Sequence, residues 1–137
     1  MKKIHRYVLF IPLAFCLVLV SCSKDDDNPA PDGTATFEGT FISQAHPTCG
    51  TASVIEDGSK LVFAGFKTDS GPALDIYLVS DLGDIEGDFV NLGEIKGVNG
   101  NYVYDVPGGT DFSVYKYVVV WCVAFNVNFG YAELEKI

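Results

Sequence analysis

The chain has one tryptophan, one methionine, two histidines and only nine Lys and Arg against eighteen Asp and Glu, in 137 residues. The shortage of bases leaves a formal charge of −9, which opposes approach to a phosphate backbone and excludes nucleic acid as a partner. No uncharged apolar run reaches the about 20 residues that a membrane-spanning helix requires. Helical periodicity is nowhere sustained beyond Thr34, and neither a nucleophile-elbow sequence nor a phosphate-cradling glycine loop occurs. Gly108-Gly109-Thr110 lacks the following Lys. What is present is 48% hydrophobic and 20% charged residues, with 14 Gly, 7 Tyr and 10 Phe. That excludes a disordered tail, a collagen-like repeat and a coiled coil, and the length suits a single core.

Lys2, Lys3 and Arg6 precede the 14 apolar residues from Tyr7 to Val20, and Ser21 follows. This is a secretory signal layout. Leu19-Val20-Ser21-Cys22 resembles the lipobox of bacterial lipoproteins, which implies cleavage after Ser21 and lipidation of Cys22. Acyl chains at roughly 0.8 kcal/mol per buried CH₂ make such an anchor effectively permanent. Residues 22–33 carry Asp25-Asp26-Asp27 and two prolines with no apolar residue able to seed a core, the composition of a tether. The acidic triplet resembles the export tether of Bacteroidota-type surface lipoproteins, which implies attachment to the outer membrane with the domain exposed at the cell surface. Loss of residues 1–21 leaves six bases against eighteen acids, a charge of −12 for the mature chain.

Of four cysteines, Cys16 leaves with the signal and Cys22 takes lipid, so the domain of residues 34–137 keeps Cys49 and Cys122. Two thiols in an exported domain suggest a bridge, and a closed loop of 73 residues would contribute roughly 4 kcal/mol. The rival reading leaves one or both free for redox chemistry or ligation, and spacing does not choose between them.

Short runs rich in Val, Phe, Tyr and Ile, parted by Gly, Asp, Asn and Pro about every ten residues, predict strands at 36–43, 51–56, 60–66, 74–80, 89–95, 102–106, 115–124 and 126–134. About eight strands point to an all-β, antiparallel β-sandwich or flattened barrel. Asp57-Gly58 and Asn99-Gly100 read as hairpin turns. In the run from Tyr115 to Tyr131 the odd positions 117 to 129 are all apolar and predict a core face. Val118, Val120, Cys122 and Ala124 show that the strand centre is covered on its other face too. Cys122 is therefore expected to be buried, opposite in sense to Trp121, with Asn126 at a bend.

His46-Pro47-Thr48-Cys49-Gly50 is the candidate loop for chemistry, because His46 is the histidine left after signal removal. A metal centre of His46, Cys49 and Cys122 lacks a fourth ligand for a closed tetrahedron, so no metal is expected. Asp81, Asp84, Glu86 and Asp88 could gather Ca²⁺, but their spacing fails the helix-loop-helix calcium pattern, and they read as a solvated loop.

Gly39-Thr40-Phe41, His46 with Gly50-Thr51-Ala52, Phe66, Gly71-Pro72-Ala73-Leu74-Asp75-Ile76-Tyr77-Leu78, Leu92-Gly93-Glu94-Ile95-Lys96-Gly97, Gly100-Asn101-Tyr102-Val103-Tyr104 and Val120-Trp121-Cys122 follow in order, and Phe125, Phe129-Gly130 and Ala132-Glu133-Leu134 complete the set. Together they resemble the DM-thirteen domain, the electron-transfer domain of Skeletor-type proteins. The resemblance implies a β-sandwich-like fold and a redox centre at Cys122, acting as a bare thiol or through a prosthetic group such as haem, with His46 assisting or ligating. Cys49 stands where the family usually has a small residue, and so offers Cys122 a disulfide partner. Two functions follow as expectations. One is electron transfer or thiol redox chemistry centred on Cys122, by a component that is not a stand-alone enzyme and serves an unidentified redox partner. The other is a non-catalytic surface binding or adhesion module with a structural Cys49–Cys122 bridge.

Overall fold

Nine strands and one 3₁₀ turn account for the regular structure of a computed structural model that describes residues 33–137. The signal, the lipidation site at Cys22 and most of the tether lie outside the described residues. The strands are β1 (Phe37–Ser43), β2 (Cys49–Ile55), β3 (Lys60–Lys67), β4 (Leu74–Val79), β5 (Phe89–Glu94), β6 (Asn99–Asp105), β7 (Tyr117–Cys122), β8 (Val127–Glu133) and β9 (Glu135–Lys136). The main hydrogen-bonded order is β5-β4-β7-β8-β1-β2-β3-β6, with β9 against β1 and every pair antiparallel. The expected all-β sandwich is the fold. Its corner is β1, which pairs with β2 through Phe37–Thr40 and then with β8 through Phe41–Ser43, because a single strand that changes partners can close two sheets over one core.

Alternation along the strands fills that core. Phe41, Phe63, Phe66 and Tyr104 meet with ring centroids 4.9–5.0 Å apart, in the tilted and edge-on arrangements that aromatic quadrupoles favour. Burial pushes the Tyr104 hydroxyl up to about 12 from 10.0, while its oxygen accepts the Lys96 backbone N–H at 3.0 Å. The folded state therefore holds a proton that the unfolded chain releases near pH 10. The contribution of Tyr104 to stability should be constant below about pH 10 and fall between about 10 and about 12, as linkage requires for a raised pKa. Alkaline unfolding of Tyr104→Phe should lack that portion of the decline.

β7 is covered on both faces, as expected, but the faces exchange importance. Val118, Val120 and Cys122 enter the main core with Leu74, Ile76, Leu78 and Phe129, whereas Val119 and Trp121 join Tyr77, Val79 and Ile85 in a smaller outer cluster. The reason is the segment between β4 and β5, which folds back over the outer face. There Glu86 accepts the Trp121 indole N–H at 3.2 Å and Asp88 accepts the Tyr115 hydroxyl at 2.8 Å. Asp81 accepts the Gly83 N–H, so these carboxylates tie down a loop. The described residues hold no cluster of His, Cys, Asp or Glu suited to a metal ion.

Two sequence expectations are corrected here. The odd-numbered core face does not run unbroken to Phe129: after Cys122 the chain turns, Asn126 takes a left-handed φ of 52°, and Phe125 is 69% exposed. A register shift at Val120/Trp121 then puts Phe129 into the main core. Asn99-Gly100 is no hairpin turn but the start of β6, where Gly100 pairs with Phe66 at a bulge. Asp57-Gly58 does lie in the hairpin between β2 and β3, with φ of 58° and 86°, and Lys60 bridges to Asp105 beside it. Both of those side chains are solvated, so Lys60→Ala should leave the thermal unfolding midpoint close to that of the wild type.

Strand directions give the sandwich two distinct ends. Thr36 donates to Val54, Ile137 donates to Thr36, and Gly33 abuts Ile55, so both described termini lie at the end that carries the β2–β3 turn. β1 runs away from it, and the 44–48, 68–73 and 123–126 segments form the opposite end.

Candidate functional site

Cys122 closes β7 opposite Leu74, the first residue of β4. It is fully buried and a free thiol. Its S–H donates to the Pro72 carbonyl at 3.2 Å, and the next N–H, of Val123, donates to the Ala73 carbonyl at 3.0 Å. Residues 69–73 are all exposed, so one layer of chain separates the sulfur from solvent on this side. That layer is strained: Ala73 has φ of 53°, a left-handed conformation costing a non-glycine residue roughly 1–2 kcal/mol.

The histidine loop packs beside it. Gln44 and His46 both donate their backbone N–H groups to the Phe129 carbonyl, at 3.0 and 3.1 Å. Thr48 is buried, its hydroxyl 3.0 Å from that of Thr68. The His46 ring lies over Phe129 with centroids 3.8 Å apart, and its Nδ1 is 2.9 Å from Asp69 Oδ2. Phe129 is thus shared: His46 covers it, and Gly71 crosses so closely that a Cβ there would sit 2.8 Å from Phe129 Cζ. The structure brings His46 and Cys122 to one end of the sandwich, joined through Phe129 and the 69–73 segment rather than by direct contact.

Cys49 does not join them as Cys122's partner. It opens β2 opposite Lys67, and Cys122 is a free thiol. The Cys49–Cys122 bridge is accordingly corrected. The two cysteines lie on strands separated in hydrogen-bond order by β8 and β1, and the Cys122 sulfur is satisfied by a backbone carbonyl. Sequence reasoning also missed Asp69 and the cover role of Pro72. Asp69 carries no local signal, since only the tertiary fold sets it beside His46, 23 positions away.

The residues present do not fit a haem. An axial sulfur needs an open face for the iron and its macrocycle, whereas Cys122 is sealed in an aliphatic and aromatic core with its S–H bonded to Pro72. Surface hollows of about 480, 550 and 640 Å³ have neither Cys122 nor His46 on their walls.

Fold and site define an antiparallel β-sandwich with one buried thiol beneath an exposed strap. The family model described as Electron transfer DM13 matches residues 40–134, most of the described chain, and the protein belongs to that family. No curated protein and no solved structure matches the chain. No helix of the described residues is long and apolar enough to cross a membrane.

Proposed function

We propose that the protein is a lipid-anchored envelope protein whose electron-transfer domain uses Cys122 as a single redox thiol, exposed when the 71–73 segment lifts. The observation that carries this reading is that Cys122, a free cysteine at the position where the family resemblance implies a redox centre, is sealed toward solvent by Pro72 and Ala73. The co-reactant is a disulfide on a partner protein. Cys122 gives its proton to solvent and attacks one sulfur of that disulfide. The partner's S–S bond breaks, a mixed disulfide to Cys122 forms, and the departing sulfur leaves with the electron pair and takes up a proton. The Cys122 sulfur is oxidised and the departing sulfur reduced.

The test is native-state trapping with a small aromatic disulfide, compared with the global unfolding rate. Trapping of one thiol faster than the protein unfolds, and absent from Cys122→Ala, is expected. A rate equal to global unfolding would sink the reading, because local opening is then not what exposes the sulfur. Complete burial of Cys122 would in that case be structural, and a non-catalytic recognition module the better description.

The layout of residues 1–33 supports anchoring through Cys22, with the acidic triplet directing the protein to the outer face of the outer membrane. The described chain enters at the end away from Cys122, so such an anchor leaves the strap facing outward. Mass spectrometry of the membrane fraction should find Cys22 as an acylated N-terminus. Retention of residues 1–21, or a Cys22 sulfur held in a disulfide, would overturn this part.

A further inference from the structure

We infer that the His46–Asp69 pair is a latch that holds the 69–73 strap shut over Cys122, which makes the two side chains positioning residues that set how often the thiol is exposed. The inference rests on the redox reading above and deepens it by naming its control.

The strap has two firm ends and a loose middle. At one end Thr68 is buried, donates its N–H to Val98 at 2.9 Å and shares a hydroxyl contact with Thr48. At the other, Leu74 is buried, pairs with Cys122 and accepts the Ile95 N–H at 2.9 Å. Between them residues 69–73 are exposed. Three ties hold this middle down, namely the Cys122 thiol to Pro72, the Val123 N–H to Ala73, and Asp69 to His46. The first two break whenever the sulfur is uncovered. Only the third is a side-chain tie that can be altered without touching the thiol or its cover.

An exposed ion pair ordinarily contributes little because both side chains must be immobilised to form it. Here one partner is immobilised already. The His46 ring rests on Phe129, itself 4% exposed, and the His46 backbone N–H is bonded to the Phe129 carbonyl. Nδ1 is therefore presented to Asp69 before the pair forms. Opposing the latch is the left-handed φ of 53° at Ala73, a strain that opening releases. Gly71 couples the two, because it crosses Phe129 at a distance no side chain would permit, and the strap can seat only while that ring stays where His46 caps it.

The experiment measures native-state trapping of Cys122 by the small aromatic disulfide in His46→Ala, Asp69→Ala, the double variant and His46→Gln, alongside each variant's melting temperature and global unfolding rate. The latch predicts trapping about two- to fivefold faster in either single variant, no further gain in the double variant, and a rate nearer wild type in His46→Gln, whose amide can still donate to Asp69. Unfolding rates should stay unchanged. Trapping unaltered in both single variants, or accelerated only in step with global unfolding, overturns the latch. These failures are separable from failure of the redox reading, which shows in the wild-type protein as trapping no faster than unfolding.

Discussion

Replacing Gly50 by alanine is expected to lower the unfolding free energy by about 3–4 kcal/mol, close to the practical limit for a single substitution. Gly50 has φ of 111°, outside the region open to L side chains. A Cβ there would also lie 2.7 Å from Phe66 Cα, 2.8 Å from the Gly65 oxygen and 2.9 Å from the Ala64 oxygen. All three are backbone atoms of β3, so no side chain can move aside. The register of β2 on β3 shifts between Cys49 and Thr51, where Gly50 alone faces Gly65 and Phe66 of β3, the strand that carries the extra residue of the bulge. Strain and collision act together, and relieving either means unpairing the start of β2. Urea unfolding of Gly50→Ala should show a lower midpoint with an unchanged m-value. A midpoint within error of wild type would show that the bulge can reopen at no cost.

Phe63→Ala is the second large effect, about 3–5 kcal/mol by the usual cost of a phenyl-sized cavity. Phe63 is fully buried and its ring contacts those of Phe41, Phe66 and Tyr104 at once. Phe66 and Tyr104 come from Phe63's own sheet and Phe41 from the corner strand where it turns to pair with β8, so the cavity opens where the two sheets are held together. Small domains shift by roughly 4–8 °C in melting temperature per kcal/mol, and calorimetry should read a loss of well over 10 °C on that scale. Phe63→Leu, which keeps most of the volume, should recover a large part of it. Equal losses in the two variants would contradict a cavity origin.

Local chemistry made much of this architecture readable. Eight runs separated by turn residues can bury their apolar faces only by pairing, and strands β1 to β8 begin and end within about three residues of the expected runs. β9 escaped, because Glu135 and Lys136 carry no apolar signal and pair with β1 only through the backbone. The double-sided burial of β7 was visible in the unbroken run from Val118 to Cys122. Which face would meet the main core was not, since both faces read as apolar and the choice depends on a distant loop whose Ile85 and Glu86 cover Trp121.

The site divides in the same way. Burial of Cys122 and the turn at Asn126 follow from residue pattern, which operates over a few positions of chain. The partner of Cys122 does not, because two cysteines 73 positions apart carry no record of their separation in space, and the fold answers the sulfur with Pro72's carbonyl instead of a second sulfur. The meeting of His46 with Asp69 over Phe129 is likewise a product of the β1–β2 hairpin loop and the β3–β4 crossover converging on β8 at one end of the sandwich. Alternation and turn chemistry are short-range and can be read along the chain. Pairings across the sheets arise from closure of the core, and their physical cause exists only once the strands are assembled.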